Sequence, residues 1–118
     1  MDKPIQAKIV SATTAVSGNI RSDSILMQFN HKGKQINQDF ESPFLTEKNI
    51  RLWRSLVLVA VTGKFTSPEE PIASNFESYQ ASIIGHDVYI MYNEDDIYAI
   101  GKQSGNLFFP EAYGLWGR

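Results

Sequence analysis

Between Thr46 and Gly63 the sequence TEKNIRLWRSLVLVAVTG switches from an alternating hydrophobic pattern to one that repeats every 3.6 residues. Ile50, Trp53, Leu56/Val57 and Ala60/Val61 follow that period. Thr46 has the chemistry of an N-cap, Glu47 places an acid in the first turn, and Gly63 suits the position just past a helix end. On a helical wheel the apolar set Ile50, Leu52, Trp53, Leu56, Val57, Val59, Ala60 and Val61 spans about 200°, wider than a one-sided stripe. Such a helix is buried on two sides. The rival reading makes Leu56–Val61, LVLVAV, a central strand, since three valines favour β-structure.

The flanking segments alternate. Ile5, Ala7 and Ile9 mark a half-buried strand, and Ser17-Gly18-Asn19 a turn. SILMQFNHKGKQINQDF reads as a hairpin: Ile25, Met27 and Phe29 share a face, Lys32-Gly33-Lys34 form the loop, and the polar return through Ile36, Gln38 and Phe40 suits a sheet edge. Residues 64–79, with two prolines and two adjacent glutamates, read as a surface loop anchored by Ile72, Phe76 and Tyr79, or as a short helical turn around Ser74–Ser78. From Gln80 to Phe109 the pattern predicts a meander of three or four strands, turned at Gly85-His86-Asp87, Glu94-Asp95-Asp96 and Lys102-Gln103-Ser104-Gly105. The fold class that follows is α+β: an N-terminal hairpin and a C-terminal meander in one antiparallel sheet, packed on a central helix over residues 46–62. At 118 residues and 42% apolar composition, residues 1–118 form one domain of ordinary size.

Within the stretch VYIMYNEDDIYAIGKQSGNLFF, residues Tyr98, Ala99, Ile100, Ser104, Gly105 and Phe108 resemble one blade of a quinoprotein-type propeller. A propeller needs several four-stranded blades, and no second copy of the pattern occurs in the chain. The resemblance therefore implies a hairpin and no shared function. Val88, Ile90 and Tyr92 face one way and Tyr89 and Met91 the other, while Ile97 and Ala99 oppose Tyr98 and Ile100. Both faces of these strands are apolar, so each needs a cover.

Motifs of chemistry are few. The chain has no cysteine, which excludes disulfides, thiolate nucleophiles and cysteine-ligated zinc. His31 and His86 have no ligand or carboxylate partner at a useful spacing, no serine lies in GxSxG, and the glycines form no phosphate-binding loop. Asn93-Glu94-Asp95-Asp96 fails the spacing of a calcium loop and is better read as a turn. Neither a cofactor nor a metal is implied. The longest apolar run is six residues and no signal-peptide h-region precedes it, so the expectation is a cytoplasmic chain without a membrane anchor.

The net charge of −2 conceals a division along the chain: residues 1–64 carry +4 and residues 65–118 carry −6. Two binding surfaces follow as expectations. Glu69, Glu70, Glu94, Asp95 and Asp96 would form an acidic interaction surface, with Phe108, Tyr113 and Trp116 as aromatic anchors for a protein partner or a second copy of the chain. Alternatively Lys48, Arg51 and Arg54, on the polar side of the helix, with Lys32 and Lys34 on the hairpin loop and Phe29 or Phe44 stacking on bases, would bind an anionic ligand or nucleic acid. The first makes the protein a non-catalytic binding module of the kind found among inhibitors, immunity proteins and phage-encoded antagonists.

Overall fold

A computed structural model describes residues 3–102 and 107–108 of the chain. The alternating segments form strands β1 (Ile5–Ser17), β2 (Ile20–His31) and β3 (Lys34–Glu41). A two-residue strand β4 (Leu45–Thr46) leads into helix α1 (Glu47–Thr62). Two short helices, α2 (Pro71–Ser74) and α3 (Phe76–Ile83), precede β5 (Asp87–Tyr92), β6 (Ile97–Gly101) and β7 (Leu107–Phe108). The sheet is antiparallel in the order β3-β2-β1-β5-β6-β7, with β4 paired to the start of β2 beside that path. This is the α+β arrangement expected from the switch of period, with the polar β3 at an edge.

Helix α1 forms because its ends are closed as the sequence predicts. Thr46 Oγ1 accepts the Asn49 N–H at 3.4 Å, and Gly63, at φ 79°, donates its N–H to the Val59 carbonyl. A side chain at Gly63 would force a left-handed residue with a Cβ, at about 1 kcal/mol. LVLVAV is helical, not a central strand. Ile50, Trp53 and Val57 pack on the sheet residues Ile25, Met27 and Phe40, and α3 covers a second side of the helix with Tyr79 and Ile83. The wide apolar arc thus has two separate covers.

The expected loop at residues 64–79 is replaced in part by α2 and α3. Residues 80–83, expected to open the meander, complete α3. Asn75 Oδ1 accepts the Ser78 N–H at 2.9 Å, and Phe76, Tyr79 and Ile83 then recur at three- and four-residue spacing against the core. The meander has three strands among the described residues. Two bulges reset the alternation. Val10 is an extra residue in β1, between Ile9 opposite Met27 and Ser11 opposite Leu26, so Ala12 returns to the core side. Tyr98 is extra in β6, which puts Ile97 and Ile100 together in the core and Ala99 on the other face; the expected grouping of Ile97 with Ala99 is corrected accordingly. The turn expected at Lys102–Gly105 lies largely outside the described residues.

Candidate interaction surface

Three settings of charged residues among the described residues bear on a binding surface, and the third combines charge with exposed apolar side chains. The first setting is interior. Asp23 lies on the same alternation as Ile25, Met27 and Phe29 and so points into the core, where its carboxylate accepts Arg54 Nε–H at 2.7 Å and Nη2–H at 3.2 Å. The two side chains are 1% and 5% exposed. The guanidinium also lies 5.3 Å from the Phe76 ring centre and 5.5 Å from that of Tyr79. Arg54 was expected on the polar side of α1 with Lys48 and Arg51. It is instead enclosed, because α3 closes over the face that carries Arg54 and Leu58, and Asp23 supplies its counter-charge.

Tyr79 belongs to this interior group. Burial, and then the negative charge of Asp23, push its phenol well above the ordinary value, against the opposing pull of Arg54. The sign follows from linkage. An unfolded tyrosine ionises near pH 10 whereas the buried one holds its proton, so the stability due to this group is complete below about pH 10 and is lost as pH rises through that value towards the buried phenol's higher one. Urea midpoints measured between pH 9 and 11 are therefore expected to fall more steeply for the native chain than for Tyr79→Phe; parallel curves would show that the phenol ionises in the folded state.

The second setting is the acidic turn after β5. Asn93 Oδ1 accepts the N–H groups of Asp95 and Asp96 at 2.9 and 2.7 Å, the turn geometry expected of these residues. Glu94, at φ 76°, reaches the β2–β3 hairpin and accepts Lys32 Nζ–H at 2.8 Å, while Gln38 Nε2 donates to the Asp95 carbonyl. Tyr92 fills the space beneath, edge-on to Phe29 and His31 at 4.9 and 5.2 Å. The turn is a clasp between two hairpins, and Lys32 neutralises part of it. Glu69 and Glu70 stand elsewhere, bonded to Ser67 in the turn that starts α2, so the five acids are divided between two anchored turns. Among the aromatic anchors, Phe108 stands in β7 opposite Ile100; Tyr113 and Trp116 lie outside the described residues.

The third setting is the end of the molecule where β4 joins β2. Phe44 is 74% exposed there, yet its backbone is fixed on both sides. Before it, the buried Ser42 donates its N–H to the Asp23 carbonyl, accepts the Asp23 N–H on Oγ and accepts Ser22 Oγ–H on its carbonyl. After it, Leu45 is buried opposite Arg21 and Thr46 caps α1. Val16, 59% exposed, is opposite Arg21 on the next strand. Arg21 and Arg51 share Glu47 at 3.8 and 3.1 Å, the second being the i,i+4 pair visible in the sequence, and Lys48 is exposed in the same first turn of α1. The β1–β2 and β2–β4 pairings set Val16 and Leu45 on either side of Arg21, and Phe44 directly precedes Leu45 in the chain, an arrangement sequence reading missed because neither pairing is local. An apolar residue just ahead of the N-cap was the available signal.

Among the described residues no group of three or more histidines and acids stands close enough to hold a metal ion, and no helix is long and apolar enough to cross a membrane. No family model, curated protein or solved structure matches the chain.

Proposed function

We propose that this protein is a non-catalytic binding module that acts by associating with another protein through the end bearing Phe44, Val16 and the cations Arg21, Lys48 and Arg51. Phe44 carries the reading. A phenylalanine ring left in water forgoes roughly 2 kcal/mol of burial energy, and a flexible loop would be free to tuck it away. Here Ser42 and Leu45 hold the backbone, so the ring is presented from a chain with little backbone freedom to lose on binding, as interface anchors are. The surrounding cations suit a partner with an acidic rim, which reverses the polarity expected from the acidic second half. The cytoplasm is the compartment this reading assumes, and a chain without cysteine is compatible with it.

The test compares baits in extracts of the source cells. Phe44→Glu is expected to lose its partner, by about 30-fold or more in affinity, while its urea midpoint stays at the native value because the ring supports no core. Phe65→Glu, at a second exposed ring, is expected to retain the partner. Equal capture by both variants would end the proposal.

A second reading, binding of a nucleic acid, is favoured by the arrival of Arg21 beside Lys48 and Arg51 in place of Arg54. It requires affinity for single-stranded DNA that falls steeply with salt, whereas the protein partner is expected to be retained at moderate salt through the apolar contact of Phe44.

A further inference from the structure

The β1–β2 ladder ends at Lys8 opposite Gln28. Past that point Ile5, Gln6 and Ala7 pair only with β5, and Phe29, Asn30 and His31 only with β3. The sheet is split at this end, and a cleft of about 370 Å³ opens beside it, lined by Gln6, Lys8, Gln28, Asn30, Gln35 and Asp87. That volume falls at the lower end of ligand sites.

Main-chain directions at the split follow from bonds on either side of it. Ile9 donates to the His86 carbonyl and accepts the Gly85 N–H, so its backbone faces β5. Backbone groups alternate with every residue, so Ile5 and Ala7 also face β5 while Gln6 and Lys8 face β2. On β2, Asp23 accepts the Ser42 N–H on its carbonyl and donates its own N–H to Ser42 Oγ on the β3 side, which turns Phe29 and His31 towards β3 and Gln28 and Asn30 towards β1. Lys8 and Gln28 are the last residues to meet. Gln6 and Asn30, next in the same register, face each other across the cleft, each with one N–H and one C=O free of the β1–β2 ladder. Two positions before Gln6, just ahead of β1, stands Pro4, which has no N–H to offer.

We propose that this cleft binds the main chain of an extended peptide segment, with peptide groups of the ligand taking the hydrogen bonds that Gln6 and Asn30 would otherwise exchange. Its chemistry selects that occupant. The rims offer donors and acceptors in equal number, the side-chain amides of Gln6, Gln28, Asn30 and Gln35 each offer both, and Lys8 stands opposite Asp87, so the lining carries no net charge for an anion. Phe29 is too deeply buried to serve as a stacking platform for a sugar ring. The site lies roughly 27 Å along the hairpin from Val16, so it is separate from the Phe44 end.

The probe is acetyl-Thr-Val-Thr-amide, titrated to about 10 mM, where a few hydrogen bonds suffice for measurable occupancy, and followed by amide chemical shifts of the full-length protein. Saturable shifts confined to residues 5–8 and 28–31 are expected, and they should persist in Phe44→Glu. Gln6→Pro removes a rim N–H that lies beyond the end of the β1–β2 ladder, so it is expected to fold with a native thermal midpoint and to bind about 3- to 10-fold more weakly. Free threonine at the same concentration is expected to give no shifts. Shifts elsewhere, no shifts, equal binding by threonine, unchanged affinity in Gln6→Pro or unfolding of that variant would each overturn the proposal, the last by showing that the Gln6 N–H is already engaged.

Discussion

Asp23→Ala is expected to lower the free energy of unfolding by about 3–5 kcal/mol, among the largest effects of any single substitution in this chain. The magnitude comes from what is left behind. With its carboxylate gone, Arg54 remains enclosed between β2 and the rings of Phe76 and Tyr79, a charge without a counter-charge in a place where water does not replace it. Replacing both partners with apolar residues of similar size, Asp23→Val with Arg54→Met, is expected to restore stability to within about 1 kcal/mol of the native chain, because the desolvation of two ions disappears with them. Urea denaturation of Asp23→Val, Arg54→Met and the double variant closes the cycle. A loss below about 1 kcal/mol in Asp23→Ala would show that the guanidinium escapes to solvent.

Trp53→Ala is the second large effect, at about 3–5 kcal/mol. Trp53 is fully buried at the centre of α1 and stacks on Phe40 of β3, with ring centres 5.3 Å apart and an interplanar angle of 23°. It therefore ties the helix to the edge of the sheet, where β3 has few other apolar residues. Phe40→Ala is expected to cost nearly as much, and the two losses should fall short of additivity by roughly 1 kcal/mol, the share belonging to the ring pair. Full additivity would mean that the rings act through separate neighbours.

These interior features differ in how far the sequence disclosed them. The α+β class, the helix ends at Thr46 and Gly63, the hairpin at Lys32-Gly33 and the edge position of β3 all rest on local chemistry, and local chemistry is written in consecutive residues. The contents of the helix's second face are not. Arg54 looks solvated on a wheel; it is buried because Asp23, thirty-one positions away, meets it, and because Asn75 starts a third helix that closes over both. The clue was an acid in register with Ile25, Met27 and Phe29. Bulges are harder still, since one extra residue at Val10 or Tyr98 inverts the alternation without any change in composition. That is why strict alternation groups Ala99 with Ile97, whereas the bulge sets it opposite Met91.

The candidate surfaces followed the same division. The Asn93–Asp96 turn was legible as a turn, but its bond to Lys32 depends on how far the sheet curls, which no local pattern records. From sequence Phe44 reads only as a candidate for stacking on bases, because an isolated aromatic beside a proline has no periodicity to show that it is exposed. Its significance arises only once Ser42 and Leu45 are seen to be fixed and the ring between them is not.

Photo-crosslinking from position 44 tests the binding account most directly. With benzoyl-phenylalanine in place of Phe44, which preserves an exposed aromatic group, irradiation in the source cells is expected to yield one dominant covalent adduct to a second protein, with the same reagent at Asp95 or Phe65 giving little. Adducts at Asp95 with none at position 44 would contradict the account and return the association to the acidic turn.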